Sequence, residues 1–327
     1  AFIGGIFQIW IGKMLKPIRH MFPPLVTGIV VLMIGISLLK VGFKYAGGGV
    51  WLMNNKPEIF ANWHHLTIAG TVLIVALLTN LRGKGMVSAA SILIGIIAGF
   101  IVAAVLGEIR WGKIAAADWF AFPMPLQYGI DFVWGAVILM LFMSVVTTIE
   151  TIGDISATTM GGANREATDK ELSGGIMADG VGTAFASIFN AMPNTSYSQN
   201  AGLVAFTGVI SRHVGTVAGV ILILLGLFPK LGGIIAAMPD SVIGGAAIIM
   251  FGLIAGAGIK LISKSEMSQR NVLILALSLS FGIGLYAFPE FVAHMPDFGI
   301  KLRLLLTTGL IPAGLLAFIL NATLPKK

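Results

Sequence analysis

The chain of 327 residues contains no cysteine, which excludes disulfides and thiolate metal sites but says little about compartment. Charge is scarce: charged residues make up 11% of the chain against 57% hydrophobic ones, and the mean hydropathy is +0.94. A soluble globular domain does not look like this. Histidine is rare, with five in all, and none stands at metal-ligand spacing; His64 and His65 follow Trp63 ahead of an apolar run and read as interfacial. Ala1 opens directly into apolar sequence without a basic leader, so no cleavable signal peptide is expected. The class that remains is an all-α, multi-pass membrane protein. The 15 methionines are then most simply apolar filler, and the net charge of +7 reflects orientation rather than nucleic-acid binding.

A hydrocarbon core roughly 30 Å thick needs about 20 apolar residues per helix, and about eleven segments are candidates. They cover 1–12, 24–42, 65–80, 87–106, 132–158, 175–190, 200–211, 214–229, 241–260, 271–288 and 301–321. Alternating the connections between two sides groups Lys13, Lys16, Arg19, Arg82, Lys84, Arg165, Lys170, Arg212, Lys260, Lys264, Arg270, Lys326 and Lys327, which predicts that this side and the C-terminus are cytoplasmic. Lys40, Lys44, Lys56, Arg110, Lys113, Lys230, Lys301 and Arg303 fall opposite.

Phe22-Pro23-Pro24-Leu25-Val26-Thr27-Gly28 and Met238-Pro239-Asp240-Ser241-Val242-Ile243-Gly244 share Pro, Val and Gly at the same spacing, 216 residues apart. A repeat of two long halves would explain this, although a motif this short also recurs by chance. An odd number of segments between the copies would make the repeat inverted, a common transporter design. The first-half equivalents of residues 130–216 would precede Ala1, so the first three membrane segments are expected to be absent from this chain.

Pro193-Asn194-Thr195-Ser196-Tyr197-Ser198-Gln199-Asn200-Ala201 is a polar stretch between apolar runs too short to cross a bilayer easily. It is either an ordinary extracellular loop or a buried site at membrane depth, where irregular backbone survives only inside protein or along a wet cavity. In the second case Pro193 stops the preceding helix. Thr195 and Tyr197 favour a short strand that would pair with a counterpart from the absent first half, and the next helix starts near Asn200 with its positive end toward the site. Glu150 and Asp154 stand four residues apart on one helical face. Carboxylates in lipid usually line a pathway, and two at this spacing repel when both are ionised, which suits proton-coupled binding. The alternative is a segment ending near Thr148, with both acids at the cytoplasmic surface. Asp179 lies among small residues in Gly174-Gly175-Ile176-Met177-Ala178-Asp179-Gly180-Val181-Gly182, suited equally to a proton relay or to a helix-crossing hydrogen bond. An intramembrane aspartyl protease would need Gly-x-Gly-Asp, and Thr151 replaces its first glycine, so the chain is not expected to be an enzyme.

Gln199-Asn200-Ala201-Gly202-Leu203-Val204-Ala205-Phe206-Thr207-Gly208 resembles the signature of the nucleobase-ascorbate transporters, also called nucleobase:cation symporter-2. The likeness extends to Glu150-Thr151-Ile152-Gly153-Asp154, Ala178-Asp179-Gly180 and Phe251-Gly252-Leu253-Ile254-Ala255-Gly256-Ala257-Gly258. It implies a fold of two inverted seven-segment repeats containing a short intramembrane β-strand. Residues 1–129 would hold family segments 4–7 and 130–327 segments 8–14. A core domain (1–20 and 130–235) would move elevator-like against a gate domain (21–129 and 236–327). Gly28, Gly35, Gly244 and Gly252 would allow close packing at the sliding surface.

The resemblance further implies that Glu150 and Gln199 bind the substrate ring, that Tyr197 and Ser198 line the site, and that Asn200 orients the junction. Asp179, Asp154 and Glu150 would couple protons, with Asp154 also supporting the site. No metal or bound cofactor is implied, only a gradient of protons or another cation; the partners are a small purine, the lipid bilayer of an inner or plasma membrane and a second copy of the chain. Gln199 with Asp154 looks like the xanthine and uric acid branch, since the uracil branch carries Glu and His at those positions. An anion transporter of the same fold is the alternative outside the family, but such sites favour positive potential, and this one collects acids.

Overall fold

The computed structural model describes all residues except 16–22, 198–199, 201–203, 205–208, 294–302, 304–305 and 326–327. Its main helices are α1 (Phe2–Lys13), α2 (Pro24–Ala46), α3 (Trp63–Arg82), α4 (Ser91–Val105), α5 (Trp134–Ala163), α6 (Asp169–Ile188), α7 (Arg212–Gly226), α8 (Pro229–Ala237), α9 (Asp240–Ile262), α10 (Gln269–Ala287) and α11 (Leu310–Thr323). Several begin on side chains that satisfy the first free amides. Asn62 accepts from the His65 amide ahead of α3, and Ser268 from the Asn271 amide ahead of α10. Before α6, Thr168 and Glu171 form a reciprocal capping box.

α2, α3, the 134–156 part of α5, α9 and α10 are long and apolar enough to cross a membrane. α7 and α8 pass the same test together but meet at 82°, so the single span expected over 214–229 is broken. The break falls just before Pro229, which lacks the amide needed to continue a helix. No residue of α7 is buried, and its Val217, Ile221 and Ile223 face outward, as lipid-contacting side chains do. α1, α4 and α11 are shorter than a full span, and most of the segment expected over 200–211 lies outside the described residues.

The chain divides into two compact units, one of Ala1–Ser37, Met124–Ile210 and Ile254–Lys327, the other of Leu38–Pro123 and Ser211–Leu253. In the first, Leu25, Ile29, Met33, Ile262, Ile274, Ala313 and Ala317 form a dry core, while Val30 packs on Val146 and Ile149 of α5. In the second, Ile68, Val72, Ala103, Val242 and Ala246 do the same.

The repeat reappears in these contacts. α2 and α9 both contain 23 residues, and their ends are offset by the same 216 positions as the sequence motif. In the first unit Gly28 packs on Ile262 and Gly258 on Leu32; in the second Gly244 packs on Ala46 and Gly42 on Ile248. The offset converts the first pair of contacts into the second with the helices exchanged. Residue numbers fall on one helix as they rise on the other, so the pair is antiparallel, as an inverted repeat requires. A Cβ on Gly28, Gly244 or Gly258 would collide with the facing backbone. Gly252, expected to share this role, instead faces open space, with nothing within 4 Å of an added Cβ.

No strand occurs among the described residues, which corrects the expectation of one in the polar stretch: 191–197 is irregular. A strand exists only through a ladder partner. The side chains here bond instead to helices α5 and α6, as described next.

Candidate functional site

α5 carries the acids. It runs unbroken through Glu150 and Asp154 to Ala163 and stops where Asn164 adopts the left-handed conformation (φ 56°). The helix does not end near Thr148, and both carboxylates fall within the 134–156 stretch that is long and apolar enough to cross a membrane. Ser144, Thr147, Thr148 and Thr151 give α5 a hydroxylated stripe; Thr148 donates to the Ser144 carbonyl at 2.7 Å, which satisfies a polar group inside an apolar helix.

Glycines bring the neighbouring helices in. Gly5 of α1 lies against Gly180 and Ala184 of α6, where a Cβ would be 2.6 Å from the Gly180 carbonyl oxygen. Polar links reinforce this contact: Ser173 donates to the Gly12 carbonyl at 2.7 Å and Ser144 to the Gly4 carbonyl at 2.9 Å. Asp179, beside Gly180, thereby comes within reach of α5, and Thr151 donates to its Oδ2 at 2.5 Å. Thr151 is 1% exposed.

The polar stretch arrives by a turn that the sequence reading did not identify. α6 ends at Ile188, and Asn190 takes a left-handed conformation (φ 60°). The Asn190 amide bonds to the Ser187 carbonyl and the Ala191 amide to the Ala186 carbonyl, the paired bonds of a Schellman motif. Pro193 was expected to stop this helix, but the stop precedes it. The reversed chain returns along α6, where Thr183 donates to Asn194 Oδ1 at 2.9 Å and receives the Asn194 amide at 3.2 Å. Gly182 leaves the space that the Asn194 side chain fills.

From that anchor the stretch meets the acids. Thr195 donates to Glu150 Oε2 at 3.1 Å and Ser196 donates to Asp154 Oδ2 at 2.7 Å. Ser196 Oγ also lies 3.4 Å from Oγ1 of Thr151, the hydroxyl that holds Asp179. Three carboxylates from two helices thus share one irregular segment, and Glu150, Asp154 and Asp179 all remain partly accessible. Such a constellation can accept hydrogen bonds from a ligand and hold a proton. Tyr197 is 52% exposed, and the Asn200 amide closes a turn onto the Tyr197 carbonyl at 3.0 Å. Ser198 and Gln199, both expected in the site, lie outside the described residues. Among the described residues no three acids or histidines converge as metal ligands would.

The sequence reading missed the roles of Thr151, Thr183, Asn194, Thr195 and Ser196. The run of hydroxyls at 144, 147, 148 and 151, sharing the acids' helix, was the available signal.

Comparison with known proteins now identifies the relatives of this arrangement. Residues 1–291 match the model of a permease family that includes the xanthine and uric acid permeases. A provisionally named purine permease of Clostridium perfringens is 39% identical over 99% of this chain and 70% of its own length. Xanthine permease XanP of Escherichia coli is 34% identical over 98% of this chain and 69% of its own, and uric acid permease PucJ of Bacillus subtilis is 34% identical over 97% and 70%. Among solved structures, the transmembrane domain of a cyanobacterial bicarbonate transporter, BicA, matches 98% of this chain and 75% of that chain at 17% identity and a TM-score of 0.49, too distant to carry any conclusion. With a family match across most of the chain and relatives at this identity, the chain belongs to the nucleobase-ascorbate transporter family, membrane permeases rather than enzymes.

Proposed function

We propose that the protein imports an oxidised purine, xanthine or urate, by symport with protons. The observation that carries this reading is the hydroxylated stretch laid across Glu150 and Asp154 inside an apolar helix. Oxidised purines offer ring N–H donors to the Glu150 carboxylate, and the Gln199 amide has both a donor and an acceptor for the ring edge. The printed names of XanP and PucJ, xanthine and uric acid permeases, support this substrate class.

In this reading Glu150 and Gln199 bind the ring, Tyr197 and Ser198 line the site, and Asn200 fixes the turn behind it. Asp179, Asp154 and Glu150 couple the proton, and Asp154 also supports the site through Ser196. Binding with a proton on the cluster lowers the charge that a core (1–20 and 130–235) carries past a gate (21–129 and 236–327). Segment pairs such as α2 and α9, antiparallel and related by the repeat, support the inverted seven-plus-seven plan behind that division. The protein works as a homodimer in the inner or plasma membrane with its C-terminus in the cytoplasm.

Uptake of radiolabelled xanthine, urate, guanine and uracil by cells expressing the protein tests the substrate class. Saturable uptake of xanthine or urate is the expected result; uptake of uracil alone would move the protein to another branch, and uptake of no base would favour an anion transporter.

A further inference from the structure

A second polar cleft, of about 500 Å³, is lined wholly by residues of the other compact unit, none of them among the acids of α5 and α6. It forms at one end of four helices, after α2, before α3, after α4 and before α9. Its walls include Trp51, Asn62, His65, Glu108, Arg110 and Asp240.

A glycine turn builds it. Gly47, Gly48 and Gly49 follow α2, and the last two take φ values of +110° and +98° that disfavour any side chain. Added Cβ atoms would strike Phe60 at Gly47, His65 and Leu52 at Gly48, and the Asp240 carboxylate at Gly49. The missing side chains are what allow His65 and Asp240 to converge.

Two of the charged groups are not consumed by the fold. Neither the Arg110 guanidinium nor the Asp240 carboxylate has a side-chain hydrogen bond or ion pair among the described residues. His65 is 9% exposed, and its buried Nδ1 lacks a partner there. An unmet buried nitrogen costs free energy unless something bonds to it. Glu108 is oriented by His64 at 3.1 Å, and the Trp51 ring is 65% exposed. The cleft therefore offers a cationic donor fork, two carboxylate acceptors and an aromatic face within a volume typical of small-ligand sites.

We propose that this cleft is an outer binding site for an oxidised purine, in which Arg110 donates to a ring carbonyl, Asp240 and Glu108 accept from ring N–H groups, and Trp51 stacks on the ring. The inference rests on the purine-transport reading above. A planar ligand carrying both carbonyls and N–H groups along its edge matches a site that presents both signs of charge beside an aromatic ring. On the proposed orientation the cleft opens on the side opposite the cytoplasm, where substrate arrives.

The test measures equilibrium binding of radiolabelled xanthine to the purified protein, alongside uptake by cells. Glu150→Ala removes the inner site; the variant is expected to keep a weaker class of xanthine binding. Adding Asp240→Asn or Arg110→Gln is expected to weaken that residual binding by about tenfold or more. Neither side chain has a hydrogen bond or ion pair to lose among the described residues, and melting at the wild-type temperature checks that the fold survives each change. Glu150→Ala protein with wild-type melting that binds no xanthine overturns the outer site, as does residual binding unmoved by both substitutions. Wild-type protein that takes up neither xanthine nor urate overturns the transport reading and the outer site together, so the two failures are distinguishable.

Discussion

At the scale of single residues, the site depends on hydroxyls that fix carboxylates. Ser196 donates to Asp154 and lies beside the Thr151 hydroxyl that holds Asp179, so Ser196→Ala should raise the half-saturating purine concentration about fivefold, read from uptake kinetics. Glu150→Gln keeps the shape but exchanges two acceptor oxygens for a donor and an acceptor, and uptake should fall about a hundredfold or more. The acids themselves were legible in the sequence, because carboxylates in a long apolar run are rare enough to mark a site. Thr195 and Ser196 were not. Their chain is irregular, and without a period nothing in the sequence says which way a side chain points.

Among the elements, the turn after α6 decides where the polar stretch goes. Asn190 holds the left-handed position that ends the helix. Asn190→Gly should therefore be tolerated, whereas Asn190→Val should lower the melting temperature, since a β-branched residue is strained there. Thr168→Ala should cost about 1 kcal/mol through loss of the cap on α6, measurable as reduced thermal stability. The capping box was readable as Thr168 followed by Glu171, and so was the tolerance of Asn for a left-handed turn. Pro193 was the louder signal and took the credit for a stop that Asn190 makes, although the expected segment end at 190 lies within two residues of Ile188. The expected strand failed for a related reason: β-propensity at Thr195 and Tyr197 is a preference, and it yields nothing without a neighbouring strand to bond.

For the whole molecule, composition and glycine spacing carried most of the architecture. The 216-residue offset found in two short motifs returns as an exchange of antiparallel contacts between α2 and α9. Gly244→Leu should prevent recovery of monodisperse protein in detergent, because the facing Ala46 backbone leaves no room. Gly252→Ala should be harmless or slightly stabilising, since its methyl meets open space and alanine favours helix. The sequence did not distinguish these two glycines, which share a helix and differ only in what faces them. Both compact units are held by dry apolar cores, so the purine reading turns on the carboxylate cluster in the first of them. The most direct test is uptake of radiolabelled xanthine and urate by cells expressing wild-type protein and Glu150→Gln, each with and without a protonophore. The account predicts wild-type uptake that the protonophore abolishes and that Glu150→Gln lacks. Uptake insensitive to the protonophore, or undiminished in Glu150→Gln, would contradict it.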